Sequence, residues 1–292
     1  MIGVDWGTSS FRAFRLDAAG AITARVAAPR GITTIAPGGF EAALRDQIAP
    51  WLAAGEDRVL MCGMVGSRQG WVEAPYVPCP ASPASVAAGV VAVPFEGARV
   101  RLVPGVSDRD AGDVPEVMRG EETQLAGVMA ALSGRALACL PGSHAKWATL
   151  DGGRIEAFST YLSGEAFAAV RAGTILGRMM PDAPPDPAAF ARGVARSGSP
   201  GHLLHHLFGV RALGLFGELA ESASASYLSG LLIGHEVRAA LQPDVTVHLI
   251  GAAGLCALYA SAIAACGGRS VIEDEDAAAR GLFSIAEDVA WT

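Results

Sequence analysis

A short turn rich in glycine and hydroxyl groups lies near the start of the chain, between an acidic and a basic residue. Asp5 ends an apolar segment, the turn 7–10 (Gly7, Thr8, Ser9 and Ser10) follows, and Arg12 stands in the next segment. Glycine permits close approach to the backbone, while hydroxyl and N–H groups bind phosphate oxygens. A carboxylate at the end of a strand can hold Mg²⁺. The pattern predicts a phosphate loop, and its alternative is an ordinary capped hairpin turn.

A second turn of similar composition occurs near the middle of the chain. Gly142 and Ser143 again lie between two apolar segments, and Lys146 follows at the position that Arg12 has after the first turn. Two such turns facing each other would clamp a phosphate chain. The motif of a P-loop is absent, so a P-loop nucleotide site is excluded.

Three further segments could supply a ligand site. A loop of small residues between an apolar segment and a helical one could admit a flat ring or a phosphate; it comprises Gly251, Ala252, Ala253 and Gly254. The loop 63–71 is too polar and glycine-rich for a core, and Arg68 within it could bind a carboxylate. Glu121 and Glu122 start a helix, where a carboxylate either stabilises the helix dipole or accepts a hydroxyl proton.

The predicted elements repeat. Residues 1–132 give the order β-β-β-α-β-α-β-α, and a similar order starts again at residue 137. We therefore predict a duplicated α/β fold with a boundary near Ser133 and Gly134. The predicted domains are 1–134 and 135–292.

Composition excludes several other classes of protein. The 292 residues carry a formal net charge of −7, all basic residues except Lys146 are arginine, and no basic cluster is present, which argues against nucleic-acid binding. Five widely spaced cysteines indicate free thiols in a reducing compartment. Residues 245–268 are long enough to span a bilayer, but they divide into strand, loop and helix. We expect a cytoplasmic protein with no membrane partner.

These segments resemble a known family. The 5–13 segment resembles the first phosphate loop of the actin–hexokinase–sugar-kinase superfamily, whose fold is a pair of ribonuclease-H-like α/β domains with a nucleotide cleft between them. The segments 62–76, 118–124 and 140–147 are similar to the 2-dehydro-3-deoxygalactonokinases. The resemblance implies a sugar-acid site in the N-terminal domain and an ATP site in the C-terminal one. The implied reaction is ATP- and Mg²⁺-dependent phosphorylation of the 6-hydroxyl of 2-dehydro-3-deoxy-D-galactonate in galactonate breakdown, and the assembly could be a homodimer.

The resemblance also assigns roles to individual residues. Asp5 would organise Mg²⁺ and the attack geometry, and Arg12 would neutralise developing charge. The implied nucleotide residues are Gly7, Thr8, Ser9, Gly142, Ser143, Lys146, Gly251, Ala252, Ala253 and Gly254. The implied substrate residues are Gly66, Ser67, Arg68, Gln69, Trp71 and Arg119. We expect Arg68 to hold the substrate carboxylate, because it is the only cation in its loop.

Glu121 is the predicted general base. Relatives usually have Asp at this helix start, so Glu122 stays an alternative, and the 140–147 loop also lacks the Asp that many relatives have near the metal. The apolar stripe of the helix places Glu121 over the buried face and Glu122 at its margin. The sequence leaves open three other functions: a kinase for another sugar or sugar acid, a phosphohydrolase of the same superfamily such as an exopolyphosphatase, and a nucleotide-gated regulator.

Overall fold

The computed structural model describes residues 1–132 and 134–291. Contacts divide the chain into two compact units. Unit 1 comprises Met1–Arg135, Ala148–Phe158 and Asp274–Thr292, and unit 2 comprises Ala136–Trp147 and Ser159–Glu273. The predicted division at residue 134 stays a prediction. Ser133, which was placed at that boundary, lies outside the described residues.

Unit 1 is built on a mixed sheet of six strands. Its order is β3-β2-β1-β4-β7-β6, where β1 pairs antiparallel with β2 and parallel with β4. The strands are β1 (Ile2–Trp6), β2 (Phe11–Leu16), β3 (Ile22–Ala28), β4 (Arg58–Cys62), β6 (Val91–Val93) and β7 (Arg99–Leu102). The helices are α1 (Phe40–Ala53), α2 (Pro83–Ala88), α3 (Glu121–Met129) and α9 (Ala277–Glu287).

Strand β1 lies at the centre of this sheet and is covered on both faces. Val4 and Trp6 pack with Leu44 of α1 in one apolar cluster. On the other face a methyl group added at Gly3 would lie 3.0 Å from Leu282 of α9. A strand that is buried on both faces has a continuous apolar sequence, which explains why β1 was predicted readily.

Helices α3 and α9 pack with their backbones almost touching. A Cβ added at Gly127 would lie 1.9 Å from the carbonyl oxygen of Ala277, and one added at Gly281 would lie 1.7 Å from that of Thr123. Only glycine fits at either position. This contact fixes the N-terminal end of α3, where Glu121 and Glu122 lie.

A second, three-stranded sheet in unit 1 was not predicted. Its order is β5-β8-β9, formed by β5 (Tyr76–Pro78), β8 (Gly105–Arg109) and β9 (Pro115–Met118). Val106 pairs with Met118, the last residue of β9, so the sheet fixes the position of the residues that lead into α3.

Unit 2 contains most of a five-stranded sheet with the order β12-β11-β10-β13-β14. The strands are β10 (Ala136–Leu140), β11 (Ala145–Asp151), β12 (Arg154–Tyr161), β13 (Thr246–Leu249) and β14 (Arg269–Ile272). The helices are α4 (Ser163–Gly173), α5 (Pro187–Ser197), α6 (Leu203–Leu215), α7 (Glu221–Ala240) and α8 (Ala253–Ala265). The uncharged stretch 245–268 forms β13 and α8, as predicted, and no helix among the described residues has the length and hydropathy of a membrane span.

A buried carboxylate joins three elements of unit 2. Glu236 of α7 is 3% exposed and accepts hydrogen bonds from Trp147 Nε1 at 2.7 Å and from Tyr259 Oη at 2.9 Å. Burial raises the pKa of Glu236, although these donors oppose the shift. The carboxylate thereby fixes α7 and α8 against β11, the strand that follows the second predicted phosphate turn.

Candidate active site

The first predicted phosphate turn is a hairpin between β1 and β2. Its tip closes with a hydrogen bond from Gly7 N to Ser10 O at 2.9 Å, and Thr8 and Ser9 are exposed. Ile32 and Thr33 brace the turn from outside, since Ile32 N donates to Gly7 O and both Thr33 N and Oγ1 donate to Thr8 O. The loop is therefore held in place while its hydroxyl groups face solvent.

Asp5 and Arg12 form an ion pair at the base of this hairpin. They are register partners across β1 and β2, and Arg12 Nη2 lies 2.5 Å from Asp5 Oδ2. Burial by itself would lower the pKa of Arg12, but the Asp5 carboxylate outweighs it and the pKa is raised. The arrangement leaves a fixed cation and a fixed carboxylate directly below the turn.

Two glycines bring the start of α3 to the same place. Gly63 directly follows β4, whose last residue is the register partner of Asp5, and a Cβ on it would lie 3.3 Å from Asp5 Oδ1. Gly120 precedes α3, and a Cβ on it would lie 3.1 Å from Gly63 Cα. Their φ angles are +92° and +109°, a region in which other residues are strained. Asp5, the end of β4 and the start of α3 therefore meet within unit 1.

The two glutamates at the start of α3 have different surroundings. Glu122 is 1% exposed, and its carboxylate accepts from Gly120 N at 2.6 Å and from Thr123 Oγ1 at 2.8 Å. Glu121 is half-buried and accepts from Arg119 N at 3.0 Å. The expectation that Glu121 covers the buried stripe and Glu122 its margin is wrong, because Glu122 and Thr123 are both buried whereas Glu121 is only half-buried. Leu132, taken as part of the stripe, lies beyond the end of α3.

Burial gives Glu122 an unusual affinity for protons. Its pKa is raised to about 7, first by burial and then by the charge of Glu121, while its hydrogen bonds oppose the shift. Between its ordinary pKa of 4.5 and the raised value, the folded protein holds a proton at Glu122 that the unfolded chain has released.

We expect this proton to make stability depend on pH. Because a raised carboxyl pKa favours the protonated folded form, stability decreases as pH rises from about 5 to 7, by up to about 3 kcal/mol. Glu122→Gln removes that loss, so its unfolding free energy relative to wild type should increase between pH 5 and pH 8. Urea denaturation at both pH values measures this. Glu73→Gln, at an exposed glutamate, is the control, and an equal dependence in both variants would contradict the prediction.

The loop 63–71 is more buried than its composition predicts. Residues 64–66 form a single 3-10 turn in which Val65 and Gly66 are buried, and Ser67 is 8% exposed. Trp71 stacks on Phe40 with ring centroids 6.2 Å apart, as part of the apolar packing of unit 1. The expectation that this loop lies outside the core is wrong for these residues. Trp71 packs against Phe40 and Phe95, and these contacts hold the loop against the core.

Arg68 and Gln69 form the exposed part of the loop. The Arg68 side chain is 82% exposed, and its Nε lies 3.3 Å from Oε1 of Glu73. Arg119, by contrast, is only 8% exposed and donates from Nη2 to the carbonyl oxygen of Ala74 at 2.8 Å. Tyr76, which sequence reasoning did not select, lies over the Arg119 guanidinium at 4.4 Å. The signal in the sequence that could have selected Tyr76 is its place in the segment 73–76, which is part of the family resemblance.

Unit 2 brings the other two predicted loops together. Gly142 and Ser143 follow β10, and the loop 251–254 follows β13, which is the parallel neighbour of β10. A Cβ on Gly251 would lie 3.7 Å from the carbonyl oxygen of Pro141. Ala252, Ala253 and Gly254 are exposed, and no side chain in the part of the chain that the structure describes caps the first turn of α8. The two loops therefore form one surface with free helical N–H groups at its edge.

Lys146 does not stand free in the second phosphate turn. It is 5% exposed, and its Nζ donates to Thr160 Oγ1 at 2.9 Å. The exposed groups of the turn belong to Ser143 and His144, and His144 Nε2 lies 2.5 Å from Oε2 of Glu165. Lys146 differs in this respect from Arg12, which is partly exposed in the matching position.

Solved structures with little sequence identity show the fold. The chain matches an activator of 2-hydroxyisocaproyl-CoA dehydratase from Clostridium difficile, solved with bound ADPNP, at 13% identity and a TM-score of 0.51 over 99% of this chain and 95% of that one. An N-acetylglucosamine kinase structure from Porphyromonas gingivalis matches at 14% identity and a TM-score of 0.51, over 97% and 98% of the chains. The fold is the duplicated ribonuclease-H-like α/β fold of the actin–hexokinase type, as predicted.

Proteins with higher sequence identity show the family to which the chain belongs. A crystal structure of a Sinorhizobium meliloti protein, provisionally named a 2-dehydro-3-deoxygalactonokinase, matches with 38% identity and a TM-score of 0.91 over 98% of both chains. The 2-dehydro-3-deoxygalactonokinase of Escherichia coli is 32% identical over 99% of this chain and 98% of its own length. The model of the family described as 2-keto-3-deoxy-galactonokinase matches residues 5–285. The chain belongs to this kinase family, which confirms the resemblance.

Proposed function

We propose that this protein transfers the γ-phosphoryl group of ATP to the 6-hydroxyl of 2-dehydro-3-deoxy-D-galactonate, a step of galactonate catabolism. Family membership implies ATP use and supports a kinase over the phosphohydrolase and the regulator. The observation that carries the proposal is the meeting of Asp5 with the start of α3. One carboxylate there can organise phosphate and metal, and another can accept the hydroxyl proton.

Phosphoryl transfer depends mainly on position and on charge stabilisation. Gly7, Thr8 and Ser9 would bind phosphate oxygens through N–H and hydroxyl groups at the exposed tip of the hairpin. Arg12 would stabilise the negative charge that develops during transfer, because its ion pair with Asp5 already holds the guanidinium below that tip.

Asp5 suits a magnesium ion that arrives with the nucleotide. Mg²⁺ usually binds one or two carboxylates together with phosphate oxygens and water. The described residues contain no group of three or more His, Cys, Asp and Glu side chains suited to hold a metal alone. A single carboxylate beside a phosphate loop matches a site in which Mg²⁺ binds to both the protein and the phosphate oxygens. When bound, Mg²⁺ would neutralise charge on the phosphate oxygens.

The nucleotide is proposed to bind the paired loops of unit 2. Gly142 and Ser143 would contact phosphate, and the loop of Gly251, Ala252, Ala253 and Gly254 would receive the adenosine. The exposed small residues leave room for a flat ring, and the uncapped N-terminal turn of α8 favours negative charge. Lys146 would contribute positive charge from behind the turn.

Glu121 is the proposed general base, and the substrate is proposed to contact the 63–71 loop and the start of α3. The residues in that set are Gly66, Ser67, Arg68, Gln69, Trp71 and Arg119. The expected partner is a small-molecule sugar acid, in the cytoplasm, and the protein could act as a homodimer.

Incubation of the purified protein with ATP, Mg²⁺ and a panel of aldonic and 2-keto-3-deoxy acids tests the proposal. We expect stoichiometric ADP release only with 2-dehydro-3-deoxy-D-galactonate or a close stereoisomer, and NMR of the product should show phosphorus on O6. Release of phosphate without acceptor would favour a phosphohydrolase. ATP binding without turnover on any acceptor would favour a regulator.

A further inference from the structure

Arg119 is a buried cation whose capacity to donate hydrogen bonds is largely unused. Only 8% of the residue is exposed, and Nη2 donates to Ala74 O. Among the residues that the structure describes, neither Nε nor Nη1 of Arg119 has a hydrogen-bond partner. A guanidinium has five N–H donors, and a buried charge without an anion is costly. This cost is explained if an anion binds there.

The surrounding elements hold the guanidinium in one place. Arg119 directly follows β9, and Tyr76 of β5 covers its guanidinium carbon at 4.4 Å from the ring centroid. Tyr76 pairs with Gly105 of β8, and Arg119 continues from β9. The small sheet therefore fixes both the ring and the backbone that carries the guanidinium. An aromatic ring over a guanidinium stabilises the cation without occupying its N–H groups.

The 63–71 loop adds space and a second donor beside Arg119. A Cβ on Gly66 would lie only 3.1 Å from Arg119 Nη1, so the glycine leaves room at that nitrogen. The next residue, Ser67, is 8% exposed, and its Oγ also has no partner among the described residues. Gly66 therefore lies next to two buried residues, Ser67 and Arg119, that have polar atoms without a partner among the described residues.

Arg68 has a different environment, although its loop position suggested that it binds the acid. Its side chain is 82% exposed and already lies near the carboxylate of Glu73. Exposed ion pairs contribute little because water and salt screen them. A carboxylate at Arg68 would have to displace Glu73 in open solvent, whereas one at Arg119 would meet unused donors in a buried setting.

We propose that Arg119, together with Ser67, binds the C1 carboxylate of the substrate and makes the protein specific for a sugar acid over a neutral sugar. This inference rests on the proposed function and assigns to Arg119 the contact first expected at Arg68. Charge-assisted bonds from the guanidinium and one from the serine hydroxyl would satisfy both carboxylate oxygens. Because Glu121 accepts a hydrogen bond from Arg119 N, this anchor is attached directly to the residue proposed as base.

The test compares 2-dehydro-3-deoxy-D-galactonate with its neutral C1 amide as acceptors. In wild type we expect strong preference for the acid. Arg119→Gln should lower kcat/KM for the acid by about 10- to 100-fold, because a buried charge-assisted contact is lost. It should change kcat/KM for the amide and KM for ATP less than about threefold, so that discrimination disappears. Ser67→Ala should reduce the same preference by a smaller factor.

Arg109→Gln is the matched control, because Arg109 is an exposed arginine of β8 outside the proposed substrate set, and it should change the preference for the acid less than about threefold. Arg68→Gln tests the competing assignment of the carboxylate contact. A melting temperature for Arg119→Gln that stays at or above the wild-type value without substrate would show that the side chain is not needed for folding. Equal losses with acid and amide, or loss of discrimination in Arg68→Gln instead, would overturn the inference while leaving the kinase activity standing. A wild-type protein that phosphorylates no sugar acid would overturn the proposed function and this inference together.

Discussion

Asp5→Asn should lower kcat by about 10²–10³-fold or more, with the fold intact. The substitution keeps the shape of the side chain but removes its charge. Asp5 lies below the tip of the first hairpin and pairs with Arg12, so a neutral residue there weakens both the proposed metal contact and the position of the guanidinium. Initial-rate kinetics at saturating ATP and acceptor, over a range of Mg²⁺ concentrations, measure the effect.

The fold should survive because the hydrogen bond that Asp5 accepts from Arg12 can also be accepted by a neutral amide oxygen. Asp17→Asn is the matched control in the next turn of the same unit. Asp17 is exposed, and its Oδ1 accepts from Ala19 N and Ala21 N. That variant should keep wild-type turnover and a similar melting temperature. If Asp5→Asn also retained near wild-type turnover, Asp5 would not belong to the catalytic site.

The central part of the fold could be predicted from the sequence because its signals are local. The apolar run before Asp5 and the turn after it specify a strand and a hairpin by themselves. The small residues at 251–254, after a β-branched run, likewise predict the junction of β13 and α8. In each case the residues that determine the element are neighbours in the chain.

The elements that were missed depend on contacts between distant residues. The small sheet joins the hairpin of β8 and β9 to β5, which ends at Pro78, well before β8 starts at Gly105. These strands of three to five residues are too short to show periodicity. The packing of α9 on α3 depends on Gly127 and Gly281 lying opposite each other. Neither glycine carries a helix signal, since its contribution is the absence of a side chain.

The burial and contacts of the candidate-site residues could be predicted less well than the elements that carry them. Glu122 and Arg119 stand in one short polar segment that gives no sign of burial, yet tertiary packing buries both side chains. Arg68 appeared the natural carboxylate ligand because it is the only cation in its loop. Exposure of a side chain is decided by tertiary packing, and a loop sequence alone does not carry that information.

Two physical arguments favour different glutamates as the general base. A pKa near 7 is suited to proton transfer at neutral pH, and it belongs to Glu122. A base must also reach the hydroxyl proton, and both bonds of the buried Glu122 carboxylate go to Gly120 and Thr123. Glu121 is half-buried at the same helix start. Since geometry comes before pKa, we keep Glu121 as the predicted base.

Glu121→Gln should therefore reduce kcat by about 10²–10⁴-fold with little change in the KM of the acceptor, because a positioned base acts in the transition state. Glu122→Gln should cost less than about tenfold, through the helix start alone. Paired measurements of kcat against pH separate the two residues further. If Glu122 were the base, the rate would fall below about pH 7 in wild type, and Glu122→Gln would show the larger loss. That reversed order would mean that the Glu122 carboxylate leaves Gly120 and Thr123 when substrate binds, and the assignment would move to Glu122.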